Sequence, residues 1–402
     1  MKNFFLFLSL FGIFLLKAHP MPNSVVLLDI HPEKINAEIQ IPLKELQYAV
    51  SFPLDEKTTH LSQEQQVGLK KYLEQHIVFF GKNGKKWKLE LMNMKIDRAE
   101  QTATGIYHEL VAYAQITPEN TADFRNFNLF YDAVVHQVVT HKILVSIRQD
   151  WENGKIGEGH YEIGDISTDT KTGKVLPLNI KLEKGNIQKG FISMLKLGMK
   201  HISEGIDHLM FLLMLLLTAP LLPFGRTWIQ NKNLKTSVSK TLKVTLAFTI
   251  GHSVTLVLAT LGIAKFPVNP IEILIAFSIL VTAVHAIIPL FPQKEVWVAA
   301  CFGLIHGLAF STVLSELHLS SVRLALSLLA FNLGIEIMQL LIIVLVMPLL
   351  LYWSRFKIYD YLRVLLASLA LISSVFWMME RVTGKPNYIT QKLEFLAQYS
   401  FL

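Results

Sequence analysis

Apolar and polar residues alternate through the early part of the chain, then give way to long apolar runs. Ser24–Ile30 and Lys34–Ile41 have a period of two, which predicts strands with one buried face. Lys85–Leu91, after a turn at Gly84, and His141–Ile147 read the same way. Val67, Leu69, Tyr72, Leu73, His76 and Ile77 recur at helical spacing and predict one helix over about 63–79. Short strands separated by glycine-rich turns predict a β-sandwich-like domain over residues 19–190. A region of that length can bury a normal core without disulfides.

The pattern changes at Phe191. Apolar runs at 192–222, 243–263, 270–291, 295–314, 324–350 and 359–381 predict six membrane spans. Each is near the roughly 20 residues that cross about 30 Å of hydrocarbon. The expected fold is therefore multi-domain: a β-rich domain, then an all-α six-helix transmembrane bundle over 191–383 and a tail over 384–402. Met1 and Lys2, the apolar run Phe4–Leu16 and the small Ala18 describe a secretory signal peptide over 1–18, cleaved after Ala18. That signal places residues 19–190 outside the plasma (inner) membrane, sends the first span inward and returns the tail to the outside. The loop after the first span carries Arg226, Lys232, Lys235, Lys240 and Lys243, and the loop after the fifth carries Arg355 and Lys357. The two outer loops hold only Lys265 and Arg323, so the positive-inside rule gives the same orientation.

Composition narrows the class. Of 402 residues, 51% are hydrophobic and 17% charged, against roughly 25% charged in soluble chains. Disorder and an ordinary soluble enzyme are excluded. The net charge of +7 is dispersed between apolar runs, which fits membrane topology and not a nucleic-acid partner. Cys301 is the single cysteine, so an intrachain disulfide, a CxxC redox pair and a cysteine-based zinc site are excluded.

The candidate chemistry lies in the spans, where each ionisable group costs a few kcal/mol and is functional by default. Span one carries His201, Glu204, Asp207 and His208; spans two, three and four carry His252, His285 and His306. Span five carries Asn332, Glu336 and Gln339. A set of imidazoles, carboxylates and carboxamides suits a divalent cation. On a straight helix His201 and His208 share a line, Glu204 sits between them and Asp207 flanks it. Asn332, Glu336 and Gln339 form a matching stripe, and Gly205, Gly251, Gly307 and Gly334 would let helices approach closely. Depth along the spans predicts a ladder: His201 and Glu204 outermost, His208, His252, His306 and Glu336 near the middle, His285 innermost. Ser253, Thr249 and Thr255 read as hydrogen-bonding groups between helices.

A weak internal repeat accompanies this set. Leu246–Gly251 is similar to Leu329–Gly334, and Gly198-x-x-His201 to Gly303-x-x-His306. Three spans per half would make inverted repeats. Outside the spans, cleavage after Ala18 would expose His19, whose amine and imidazole together could chelate a metal. His136 and His141 are five apart in an expected strand and face opposite sides, so at most one could join His19.

Gly198-Met-Lys-His201-Ile-Ser-Glu-Gly205-Ile-Asp207-His208-Leu resembles the first-span signature of the HupE/UreJ family, regarded as nickel permeases. Phe248–Ser253, with its Gly251-His252-Ser253, resembles an element also seen in nickel/cobalt transporters. Phe302–Gly307 and Asn332–Glu336 are similar to later elements of the longer subgroup. Tyr131–His136 through Trp151 looks like part of that subgroup's outer domain. Five residues separate His201 from Asp207-His208, where the nickel/cobalt transporters have four, so the likeness to those is one of plan and not of register.

The reading is an integral-membrane permease for a divalent transition metal, with nickel or cobalt implied by the resemblance and zinc or copper open on ligand chemistry. The expected ligands are His201, Glu204, Asp207, His208, His252, His306 and Glu336, with Asn332, Gln339, His285 and His19 secondary. The metal is cargo, no tightly bound cofactor is expected, and the other partner is the lipid bilayer. Three alternatives stand beside it: an intramembrane zinc hydrolase, a bis-histidine haem protein, and a membrane-anchored metal sensor or assembly factor. The sequence leaves the direction of transport, the coupling ion and the oligomeric state open.

Overall fold

A computed structural model describes residues 22–101, 105–118, 124–156, 159–231, 233–264, 266–309, 317 and 319–385. The expected signal peptide, His19 and nearly all of the expected tail lie outside the described residues. Two compact units meet in sequence between Lys189 and Gly190.

The first unit is sheet-rich. A six-stranded sheet has the order β4 (Lys88–Gln101), β5 (Gly105–Thr117), β2 (Ile35–Pro42), β1 (Ser24–Ile30), β7 (Ile143–Asp150), β8 (Tyr161–Ile166). Its pairs are antiparallel except β1 with β7, which run parallel. A three-stranded antiparallel sheet has the order β3 (Ile77–Gly81), β6 (Asn126–Tyr131), β9 (Leu178–Lys181). Helices α1 (Leu43–Ala49) and α2 (Gln63–His76) complete the unit. Alternation drives the register: in β2 the positions Ile35, Ala37, Ile39 and Ile41 are buried and those between them are half-buried. One apolar core draws on both sheets, with Val26, Leu28 and Ile39 from the larger and Phe79, Phe127, Leu129 and Ile180 from the smaller. Helix α2 starts on a capping box in which Ser62 and Gln65 exchange side chain-to-backbone hydrogen bonds.

A Ser24–His141–Glu45 chain has the composition of a hydrolytic triad. Ser24 Oγ lies 2.7 Å from His141 Nε2, and His141 Nδ1 contacts the Glu45 carboxylate. All three residues are buried, at 0%, 3% and 0% exposure, so no substrate reaches them and the chain serves to tie β1 to α1. The segment carrying His136 and His141 is a turn and not the expected strand; β7 begins only at Ile143.

The second unit is helical. Helices α3 (Ile187–Glu204) and α4 (Ile206–Thr218) precede a hairpin, β10 (Leu221–Phe224) with β11 (Thr227–Gln230). Then follow α5 (Leu234–Thr260), α6 (Val268–Ile287), α7 (Glu295–Ala309), α8 (Ser321–Trp353) and α9 (Ile358–Thr383). Among the described residues, α5, α6, α8 and α9 are long and apolar enough to cross a membrane. The pair α3–α4 passes that test together but is bent by 69°, and α7 is a shorter apolar helix. Among the described residues, the six uninterrupted spans expected become four long helices, one broken pair and the described part of α7. The bend has a local cause: Gly205 lies in extended backbone (φ −73°, ψ 95°) and ends one helix as it caps the next. Helix α7 covers the expected fourth span as far as Ala309, and the remainder to 314 lies outside the described residues. Outward-facing Leu329, Val344, Leu345 and Leu369 are more than half exposed, as lipid-facing side chains are.

The internal repeat has a packing counterpart. A Cβ on Gly198 would lie 2.1 Å from Phe331 O, and one on Gly334 would lie 2.1 Å from Leu195 O, so α3 and α8 touch backbone to backbone. A Cβ on Gly303 would lie 2.1 Å from Phe248 O, and one on Gly251 would lie 2.2 Å from Ala300 O, so α7 and α5 do the same. The second set is the first with each residue replaced by its repeat partner. The remaining pair of spans, α6 and α9, pack on each other. Pairing first with fifth, fourth with second and third with sixth is the arrangement that a two-fold exchange of three-span halves requires.

Candidate metal centre

The break at Gly205 builds the site. A side chain there would place its Cβ 2.7 Å from His201 O, 2.8 Å from His208 Nδ1 and 3.1 Å from Asp207 Oδ1. Only glycine lets the chain turn tightly enough to bring Asp207 and His208 back against His201. Asp207 sits in the first turn of α4, where the helix dipole favours a carboxylate. His208 Nδ1–H donates to Asp207 Oδ1 at 3.0 Å, which leaves His208 Nε2 as the nitrogen with a lone pair.

Two more helices close the cluster, α5 with His252 and α7 with His306. The ligand atoms of His201, His208 and His252 lie within 4.8 Å of one another, and so do those of Asp207, His208 and His306. His208 belongs to both groups. Its ring centroid is 4.6 Å from that of His201, 6.4 Å from His252 and 5.0 Å from His306.

The hydrogen-bond inventory is telling. His208 Nε2, both ring nitrogens of His252 and His306 Nδ1 are buried and make no hydrogen bond of good geometry. Buried polar atoms in that state need an explanation; for the lone-pair nitrogens their closeness to one another supplies one, and the remaining His252 N–H has the Asn332 side chain beside it. His306 is oriented for it from behind. Ser278 Oγ, on α6, donates to Ile275 O at 2.7 Å, so its oxygen accepts from His306 Nε2–H at 3.0 Å. That fixes the proton on Nε2 and leaves Nδ1 to the cluster, the arrangement seen behind metal-ligating histidines. Phe211 and Phe248 stand 5.6 and 5.1 Å from the His306 ring and Phe331 stands 5.5 Å from His201, an apolar collar that keeps water from competing.

The other expected ligands lie elsewhere. Glu204 was placed between His201 and His208 on the assumption of one straight helix; the break at Gly205 takes His208 off that line, and Glu204 stays at the end of α3, 66% exposed and 3.6 Å from Lys200. Glu336 is half-buried with one unpartnered oxygen, but falls outside both ligand groups. Asn332 Oδ1 lies 2.7 Å from Ser253 Oγ, and Gln339 Oε1 accepts from Thr249 Oγ1 at 2.9 Å, so both carboxamides join α8 to α5. His285 Nδ1 accepts from Leu290 N–H at 3.0 Å, its ring stacks on Phe291 at 3.8 Å, and its Nε2 faces Glu295 at 4.0 Å. Those contacts hold the hairpin end of the bundle, where Trp228 Nε1 donates to His285 O. Sequence reasoning missed Ser278, whose signal was weak: one hydroxyl in an apolar helix.

A family model described as HupE / UreJ protein matches residues 178–381. The chain belongs to the HupE/UreJ family. The match runs from β9 almost to the end of α9 and takes in all five gathered side chains, His201, Asp207, His208, His252 and His306. HupE/UreJ is a family of transporters and accessory proteins and not of known enzymes, and membership points to metal transport through a multi-pass membrane protein. No curated protein matches the chain closely enough to count as a relative.

Proposed function

We propose that this HupE/UreJ protein is a permease for a divalent transition-metal ion, with nickel as the favoured cargo. The observation that carries the reading is the convergence of five ligand side chains, with His208 Nε2 and His306 Nδ1 buried there without a hydrogen bond. Imidazole with a single carboxylate suits the borderline ions nickel, cobalt, copper and zinc, and suits magnesium or calcium poorly. A metal–nitrogen bond is about 2.0–2.1 Å, so two ligands of one ion stand at most about 4.2 Å apart. Ligand atoms spread over as much as 4.8 Å therefore close by a fraction of an ångström to hold an ion, and relax to release it. An exchangeable site is what transport needs.

His208, shared by both groups, gives the ion a step. Held first by His201, His208 and His252, it passes to Asp207, His208 and His306 without losing all its ligands at once. The carboxylate offsets part of the ion's charge in a site that offers little water. Each imidazole must be neutral to bind, so acid competes with the metal.

The test is accumulation of radioactive nickel in cells expressing the protein, with cobalt, zinc and copper as competitors. Wild type should exceed empty cells several-fold, and Asp207→Asn, His208→Ala and His306→Ala at matched membrane levels should not. Wild-type cells that neither gain nor lose nickel faster than empty cells would sink the reading.

A further inference from the structure

Glu336 falls outside the metal cluster, yet it sits at the middle of the 33-residue α8. One of its carboxylate oxygens is buried and makes no hydrogen bond. An ionisable group at that depth costs a few kcal/mol and calls for a partner. Its neighbours on the same helix face are Asn332, one turn before, and Gln339, one turn after. Asn332 reaches Ser253 of α5, and Gln339 reaches Thr249. Glu336 therefore faces the turn of α5 between Thr249 and Ser253. The internal repeat gives the same placement. Aligning Gly251 with Gly334 aligns Thr249 with Asn332 and Ser253 with Glu336, so the mate of the Ser253–Asn332 contact is Glu336 against Thr249.

What Glu336 meets there is oxygen. Ser253 Oγ lies 2.7 Å from Thr249 O and 2.7 Å from Asn332 Oδ1. Thr249 Oγ1 lies 3.2 Å from Thr245 O and 2.9 Å from Gln339 Oε1. Each hydroxyl thus has one proton for two acceptor oxygens. The Asn332 amide nitrogen is turned away and donates to Leu328 O at 2.8 Å. Acceptors outnumber donors at this crossing, and the Glu336 carboxylate adds to the excess. A cation takes up such an excess.

We propose that the crossing of α5 and α8 binds a sodium ion between the Glu336 carboxylate and the oxygens of Thr249, Ser253 and Asn332. Carboxylate, carboxamide, hydroxyl and carbonyl oxygens favour hard cations, whereas the imidazoles next door favour nickel. Oxygens 2.7 Å apart can share an ion whose bonds to oxygen are about 2.3–2.6 Å long, the range of calcium and of sodium, which is nearly the same size. A single carboxylate offsets a single positive charge; a divalent ion would leave one charge unbalanced inside a span. Ser253 follows His252 in the chain, and Asn332 stands beside the His252 ring. An ion held here therefore fixes the crossing from which His252 is presented, which is where a coupling ion belongs. That last step alone rests on the permease reading.

The experiment measures binding and not transport. Full-length protein is purified in detergent with choline as the only monovalent cation, then titrated with radioactive sodium in a scintillation proximity assay. Wild type should bind one sodium ion per chain, and nickel should not displace it. Glu336→Gln keeps the side chain's shape, removes its charge and should weaken binding about tenfold or more while eluting from gel filtration as wild type does. Ser253→Ala removes one oxygen, keeps every charge and should weaken binding severalfold, which carries the test if Glu336→Gln does not fold. Replacing choline by sodium at constant ionic strength should raise the thermal midpoint of wild type and leave that of Glu336→Gln unchanged. Wild type that binds no sodium, sodium that nickel displaces, or binding that survives these substitutions would overturn the proposal. A protein that binds sodium but moves no nickel would refute the permease reading and leave this site standing.

Discussion

Gly198 and Gly303 offer the sharpest perturbation of the bundle. Each lies one turn before a cluster histidine, and each sits against a backbone carbonyl of the crossing helix. A methyl group added by Gly198→Ala would stand 2.1 Å from Phe331 O, and one added by Gly303→Ala 2.1 Å from Phe248 O. Ordinary contact begins at 3.4 Å, so 3.4 − 2.1 = 1.3 Å must be found. A carbonyl inside a helix cannot swing aside, so the two backbones must separate. Overpacking of this kind costs about 1–3 kcal/mol, which for a unit of this size lowers the melting midpoint by roughly 2–12 °C. A separation near 1 Å also far exceeds the ±0.2 Å that metal–ligand distances tolerate, so nickel uptake should collapse in cells that still insert the protein. The assay is thermal denaturation of the detergent-purified variants by gel filtration, run beside uptake. Because each methyl would meet a carbonyl at the same 2.1 Å, both variants should lose a similar amount. Either variant matching wild type in both readouts, or a several-fold difference between the two, would refute the reasoning.

Other consequences are simpler to read. Glu204→Gln should leave uptake within about twofold of wild type, because an exposed pair with Lys200 contributes about 0–1 kcal/mol; a loss as deep as that of Asp207→Asn would return Glu204 to the ligand set. Ser278→Ala removes the group that holds the His306 tautomer and should raise the nickel concentration for half-maximal uptake about 10–100-fold. Tyr72→Phe strands the Val134 N–H and should destabilise the sheet-rich unit by about 1–3 kcal/mol in denaturant titrations. The folded phenol titrates above its unfolded value, so that contribution is full below pH 10 and fades only as pH rises through about 12. The Tyr72→Phe deficit should therefore be the same at pH 6 and pH 8.

Much of this was legible before any coordinates. Alternation marked β1 and β2 to within a residue or two, and helical spacing marked α2, because one-sided burial writes itself into the order of residues. Membrane histidines stood out for the same reason, being costly where they are, and His201, Asp207, His208, His252 and His306 do converge. The repeat was legible as faint letter similarity and gains its meaning from four glycine contacts that letters cannot display. The break at Gly205 was missed because 192–222 reads as one span, and a straight-helix projection then misplaced Glu204. Asn332 and Gln339 share a face with Glu336 as expected, but hydroxyls on α5 compete for them, and such pairings are decided in three dimensions.

The central claim is that the cluster moves metal across a membrane, and nickel flux through purified protein in liposomes tests it most directly. A fluorescent chelator trapped inside should report nickel entry at a rate proportional to the protein added, and the signal should vanish with His208→Ala, the ligand common to both groups. Flux no faster than through protein-free liposomes, or flux that His208→Ala leaves intact, would contradict the account.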